Sequence, residues 1–284
     1  MSSGTIGWRG AAALACLSVA AVAAAQESHW AYGAEVAEWG SHYPACRGER
    51  QSPIALDTLV RPGSDDGRSP VMFGIHGVGG RIRDFRYGPI PLRIENNGHT
   101  IEVHGPATNR YGFVAGMDDY RLADGSVVTA APRYEFVRVH FHTPAEHLFY
   151  QANPPARPSQ DLAAPMEAHL VHTGPLGTAV IGVFFVPGAP NPFIEQVLAH
   201  APGPHQEREV EGVEVDLRQL LPADLGLYRY WGSLTTPPCS EGVNWHLMMQ
   251  PMTASPEQLR RMRELMGANA RPIQRWTDAD VVAN

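Results

Sequence analysis

The segment VRVHFHTPAEH, residues 137–147, places three histidines and a glutamate within eleven positions. A β-strand sends successive side chains to opposite faces, so His140 and His142 share a face while Phe141 points into apolar packing. Two imidazoles side by side on a rigid strand make two-thirds of a metal site. A third candidate stands in MEAHLVH, residues 166–172, where Glu167, His169 and Val171 share one face and Ala168, Leu170 and His172 the other. The set His140, His142 and His169 suits Zn2+, whose catalytic sites take three protein ligands and leave the fourth position to water. A ligating histidine usually passes its second ring N–H to an acceptor, and Glu167 is placed to serve His169 in that way. An H-x-H pair alone is a weak signal, because paired surface histidines and satisfied core histidines are common. The third histidine, its neighbouring glutamate and the apolar strand context turn the balance toward a metal. His29, His42, His76, His172, His200, His205 and His246 read as ordinary packing or surface, and His147, at a strand's end beside Glu146, takes no role.

The same residues admit a competing reading. H-x-H-x3-E (His140, His142, Glu146) also begins the cupin metal-binding pattern. That pattern needs a glycine six positions before the first histidine and another seven after the glutamate. Tyr134 and Asn153 stand there, and no second cupin motif follows Gly182.

The elements that must position these groups are mostly strands. Gly 28 and Pro 25 divide the chain into short segments, and RIRDF, IPLRIENN, TIEVH, EFVRVHFH, MEAHLVH and TAVIGVFFV carry the alternation and β-branched residues of strands. Helical patterns are confined to 191–200 and 255–266, the second opening with Ser255 and Gln258 in a capping-box arrangement. The expected fold class is mainly β: a single domain on a large, mostly antiparallel, twisted central sheet with a few short peripheral helices. YQANPPARPSQDLAAP, residues 150–165, reads as a surface insertion between two strands.

Composition bounds the partners. A formal charge of −7 without any Lys/Arg run excludes nucleic acid and anionic membrane as expected partners. The first 25 residues, with Arg9, the run AAALACLSVAAVAAA and small residues before Gln26, have the layout of a secretory signal peptide. The run is too short for a comfortable membrane span. Cleavage after Ala25 leaves a domain of residues 26–284 with a charge of −8, bound for the periplasm or the medium. Of three cysteines, Cys46 and Cys239 then remain. In an exported chain such a pair most often forms a disulfide, the alternative being two buried free thiols. Oligomeric state stays open, a homodimer included.

From about His29 to Arg275 the chain resembles the α-class carbonic anhydrases, in the form typical of exported bacterial members. The stretches that carry the resemblance are HWAYG, GERQSPI, RIENNGHTI, VHFHTPAEH, MEAHLVH, AVIGVFF, YRYWGSLTTPPCSEGVNW and NARPIQ, in that order. The resemblance implies reversible hydration of carbon dioxide to bicarbonate, with Zn2+ on His140, His142 and His169. Thr235 resembles the threonine that accepts a hydrogen bond from zinc-bound hydroxide, and Glu146 the buried carboxylate that takes that threonine's proton. Thr236 is similar to the residue beside bicarbonate. Val171, Val180, Leu234, Val243 and Trp245 resemble the apolar wall where carbon dioxide rests. His99 matches the proton shuttle, with Tyr32, Asn97 and Glu102 near its water chain; a free histidine titrates near pH ~6.5, close to the working range. Cys46 and Cys239 fall where exported members carry their disulfide. A non-catalytic relative that keeps the fold and loses the metal is the rival reading, and such relatives lack one or more of the three histidines.

One departure stands out. Arg138 occupies the place of a glutamine that in the family accepts a hydrogen bond from the first zinc histidine, and Glu102 that of an asparagine or glutamine. Arginine has donors only. The expectation is an ion pair between Arg138 and Glu102, with a carboxylate or a water as the replacement acceptor for His140.

Overall fold

The computed structural model describes residues 30–55, 83–107, 110–115, 118–121, 127–148 and 163–275. The signal-peptide segment and most of the 150–165 insertion lie outside the described residues, as do His29 and His76.

The strands are β1 (Arg83–Arg86), β2 (Pro89–Asn96), β3 (Ile101–His104), β4 (Gly112–Val114), β5 (Asp118–Arg121), β6 (Val127–Ala130), β7 (Arg133–His142), β8 (Met166–Gly174), β9 (Gly177–Pro187), β10 (Gln206–Asp216), β11 (Leu227–Ser233), β12 (Glu241–Met248) and β13 (Met252–Ala254). Eleven of them form one sheet whose main path runs β10-β2-β3-β7-β8-β9-β12-β11, while β5 and β6 pair separately. All pairings are antiparallel except β9 with β12 and with β13. The helices are α1 (Trp39–His42), α2 (Pro192–His200) and α3 (Pro256–Met266). No helix among the described residues is long and apolar enough to cross a membrane.

Local sequence explains most of these boundaries. Alternation in β2 buries Ile90, Leu92, Ile94 and Asn96, with Pro91 and Arg93 exposed between them and Glu95 half-buried. Asn191 caps α2 by accepting from the N–H groups of Phe193 and Ile194, and Ser255 with Gln258 closes the expected capping box on α3. Gln258 also donates to the Asn191 carbonyl and to Glu195, so the cap of one helix locks the other. The central strands β8 and β9 are buried on both faces, hence their near-continuous apolar runs. One face packs under α2 and α3 as the main core, which includes Phe136, Phe141, Leu170 and Phe193. The other face carries the site.

β10 was not expected. Its sequence, QEREVEGVEVD, has charges where an amphipathic strand has apolar side chains, and most of it is exposed. It is the edge strand beside β2, where charges discourage further pairing.

Candidate metal centre

β7 and β8 pair so that His140 faces His169 and His142 faces Glu167. Register therefore joins the two halves of the cluster that alternation had prepared separately. The ring centroids of His142 and His169 lie 4.5 Å apart, those of His140 and His142 5.0 Å, and those of His140 and His169 5.2 Å. One ring nitrogen from each falls within 4.8 Å of the others, a spacing able to hold a metal ion. His142 and His169 are almost fully buried.

The groups behind the rings decide which nitrogens are available. His142 Nδ1 donates to the Asn269 carbonyl at 2.7 Å, which leaves its buried Nε2 with no partner among the described residues. His169 Nε2 donates to Glu167 Oε1 at 2.9 Å, as the shared face of β8 suggested. These outward bonds fix the tautomers and leave one lone pair on each ring for a cation. The donor set, three imidazole nitrogens, fits Zn2+. Burial and the neighbouring rings hold His140 well below the usual histidine range and bring His142 down to about 3, so both rings are neutral, the form that ligates.

Glu167 is a hub. Its Oε2 accepts the backbone N–H groups of Glu146 and His147, and its Oε1 also accepts His147 Nδ1 at 2.8 Å. Burial would push this carboxyl up, but His147 and His169 hold it well below the carboxylate range. Gly182 on β9 makes room for it, since a Cβ there would stand 2.9 Å from Glu167 Oε1. His147, given no role from the sequence, thus belongs to the centre: its Nε2 meets the Tyr230 hydroxyl at 2.6 Å and its ring rests on Trp245. Strand alternation stops at His142, so no face could be read for it.

Glu146 is buried beside the cluster. Its Oε1 accepts the Arg271 backbone N–H at 2.8 Å, and its Oε2 lies 3.9 Å from His169 Nδ1. Burial raises its pKa to about 7, against the opposing pull of His169, Arg271 and the Thr235 hydroxyl. Arg271 and Asn269 were contained in the motif NARPIQ but had no assigned part. The Arg271 side chain donates to Gln51 Oε1, the Ser52 carbonyl and the Cys46 carbonyl.

Val171, Val180, Val243 and Trp245 form one apolar cluster, with Leu234 packed against it. The Trp245 indole N–H is spent on the Ser233 carbonyl at 3.0 Å, so that wall presents hydrocarbon. Thr235 is buried and Thr236 half-buried in the following loop. Cys239, in the same loop, forms a disulfide with Cys46, Cα–Cα 4.8 Å.

His99 follows Gly98, whose φ of +88° suits glycine. Its backbone N–H donates to Asn97 Oδ1 at 2.9 Å, and its ring stacks on Trp30 at 3.9 Å with Tyr32 edge-on at 6.3 Å. Trp30 lay within the stretch HWAYG but had no assigned part. Asn97 also donates to Glu102 Oε1 at 3.1 Å. Arg138 Nε lies 3.0 Å from Glu102 Oε2, within ion-pair distance. The expected replacement acceptor for His140 is not supplied by that carboxylate: His140 Nδ1 is buried without a partner among the described residues.

Fold and cluster define a β-sheet protein with a three-histidine centre able to take a metal ion. Residues 34–283 match the eukaryotic-type carbonic anhydrase family, and the chain belongs to that family, in its α class. A carbonic anhydrase of Nostoc sp. is 31% identical over 274 residues, 93% of this chain and 89% of that protein. One from Klebsiella pneumoniae is 32% identical over 93% of this chain and 94% of its own length. A solved α-carbonic anhydrase of Thermovibrio ammonificans, in complex with the inhibitor sulfanilamide, aligns with a TM-score of 0.64 at 32% identity, covering 88% of this chain and 97% of that one.

Proposed function

We propose that the protein carries out reversible hydration of carbon dioxide to bicarbonate and a proton, with zinc held by His140, His142 and His169. The observation that carries this reading is the outward tethering of His142 and His169 by Asn269 and Glu167, which leaves their inner nitrogens free beside His140. A zinc ion in such an open site supplies activated water at neutral pH, its pKa lowered to about 7, for which carbonic anhydrase is the standard example.

The chain's own groups do the rest. Glu146 has one oxygen engaged by Arg271 and the other available to the Thr235 hydroxyl proton. Thr235, donating there, offers only its lone pairs toward the metal side and selects a donor at that position. Val171, Val180, Leu234, Val243 and Trp245 give a small apolar molecule a surface without competing hydrogen bonds, and Thr236, next after Thr235, is assigned to the bicarbonate product by the family resemblance. The proton released is carried out by His99, a half-buried residue with Tyr32 beside its ring and Asn97 bonded to its backbone. Export to the periplasm or medium is consistent with the Cys46–Cys239 bridge.

The test is stopped-flow carbon dioxide hydration with zinc analysis of the same sample. About one zinc per chain and activity abolished by a strong chelator are expected, and His142→Ala should lose both. Full activity without zinc would overturn the reading. Stoichiometric zinc without hydration would point to a non-catalytic binding relative.

A further inference from the structure

Two of the three imidazoles have an acceptor on their far nitrogen, and the third does not. His140 Nδ1 is buried with no partner among the described residues. Nε2 of the same ring is not among the buried orphans, and the residue is only half-buried. Nε2 is therefore the nitrogen open to the cavity, and the hydrogen belongs on Nδ1.

By register, the natural acceptor for that hydrogen is Glu102. It is the Cα partner of His140 across the β3–β7 pair, and directly opposite residues bring their Cβ atoms to about 4.5–5.5 Å. Its carboxylate is engaged elsewhere. Oε1 takes Asn97 Nδ2 at 3.1 Å. Oε2 lies 3.0 Å from Arg138 Nε and 3.9 Å from His104 Nε2. The Arg138 Nε hydrogen does not make a hydrogen bond of good angle, so the attraction to Glu102 is ionic, and it holds the carboxylate on Arg138, two residues from His140. With side-chain exposures of 37% for Arg138 and 13% for Glu102, water screens this pull only in part.

The geometry points to a competition in which Arg138 and the Nδ1–H of His140 draw on the single carboxylate of Glu102, so that Arg138 sets how tightly the histidine centre holds its metal. This rests on the zinc site proposed above. Arg138 acts as a positioning residue: it touches neither metal nor substrate, and it withholds the acceptor that would fix the His140 ring and raise its basicity. Such acceptors are typically worth 10–100-fold in metal affinity. Glu102 meanwhile neutralises a guanidinium carried two residues from a ligand on the same face of β7.

Zinc dissociation constants, measured by competition with a chromophoric chelator at fixed pH and ionic strength, test this on the folded full chain. The variants are Arg138→Met, which keeps the aliphatic stem without charge, Glu102→Leu, which removes the acceptor, and the two combined. Arg138→Met should bind zinc about 10–100-fold tighter. Glu102→Leu, which leaves no acceptor, should cost roughly 10-fold more affinity in the Arg138→Met background than in the wild type, since only there is a hydrogen bond to His140 available to lose. Equal costs in both backgrounds would reduce Arg138 to a simple charge and overturn the competition. Unchanged or weaker zinc binding by Arg138→Met would overturn it as well. Arg138→Leu carries the same expectations if the methionine variant misfolds. Retention of zinc by His142→Ala would instead sink the three-histidine site itself, which keeps the two failures apart.

Discussion

Replacing both bridged cysteines, Cys46→Ala with Cys239→Ala, probes how much a single long-range cross-link stabilises the chain. The bridge spans a sequence separation of 193 residues. In the chain-entropy account, a cross-link over that length removes about 18 cal/mol/K from the unfolded ensemble, about 5 kcal/mol at ~25 °C. Folded domains of this kind are stable by only about 5–15 kcal/mol, so the bridge supplies a large share. The native state should nevertheless survive without it, because other contacts hold the same two segments. Arg271 Nη2 donates to the Cys46 carbonyl and Gln51 Nε2 to the Cys239 carbonyl. The loop bearing Thr235 is pinned by Cys239 N–H to the Thr236 carbonyl and Leu234 N–H to the Ser240 carbonyl. The double variant should therefore keep hydration activity at low temperature while losing about 3–5 kcal/mol in urea unfolding against the unreduced wild type. Wild type treated with reductant should fall to the same stability. A loss below about 1 kcal/mol, or loss of activity while the protein is still folded, would refute an effect that acts through the unfolded chain.

His99→Ala should lower kcat several-fold at high carbon dioxide in weak buffer and leave kcat/KM nearly unchanged, with added imidazole restoring turnover; an unchanged kcat would mean that protons leave by another route. A third expectation concerns acid. Burial brings His172, beneath the sheet against Tyr87 and Phe113, down to about 3. An unfolded histidine binds its proton near pH ~6.5, so stability is full above that value and falls with pH toward the folded pKa. The contribution of this residue between pH 7 and 5 is about 2 kcal/mol. His172→Gln, less stable at pH 7, should lose about 2 kcal/mol less over that interval in urea titrations; an identical loss would remove His172 as the cause.

The ligand set was legible because alternation is a local property. Spacing alone puts His140 with His142, and His169 with Glu167, on common faces, and the backbone keeps that promise wherever the strands lie. The capping box of α3 was readable for the same reason, its partners being three residues apart. β10 escaped because an exposed edge strand buries no alternating face. The expected family matched, yet the family pattern did not say which partner each polar atom would take.

Those partners were decided by register between distant strands. Asn269 reaches His142 across 127 positions, and Arg271 reaches Glu146 across 125. His147 gained its place when the turn after β7 swung it onto Glu167 and Tyr230. Glu102 and Arg138 are opposite charges in the sequence, but only the β3–β7 pairing brings them to 3.0 Å and leaves His140 Nδ1 without an acceptor among the described residues. The sequence alone determined which residue types face the cavity, because side-chain direction follows from the chain's own period. The tertiary structure alone decided which hydrogen bonds those residues make, because a directional bond of about 3 Å is fixed by the relative placement of segments that no local pattern encodes.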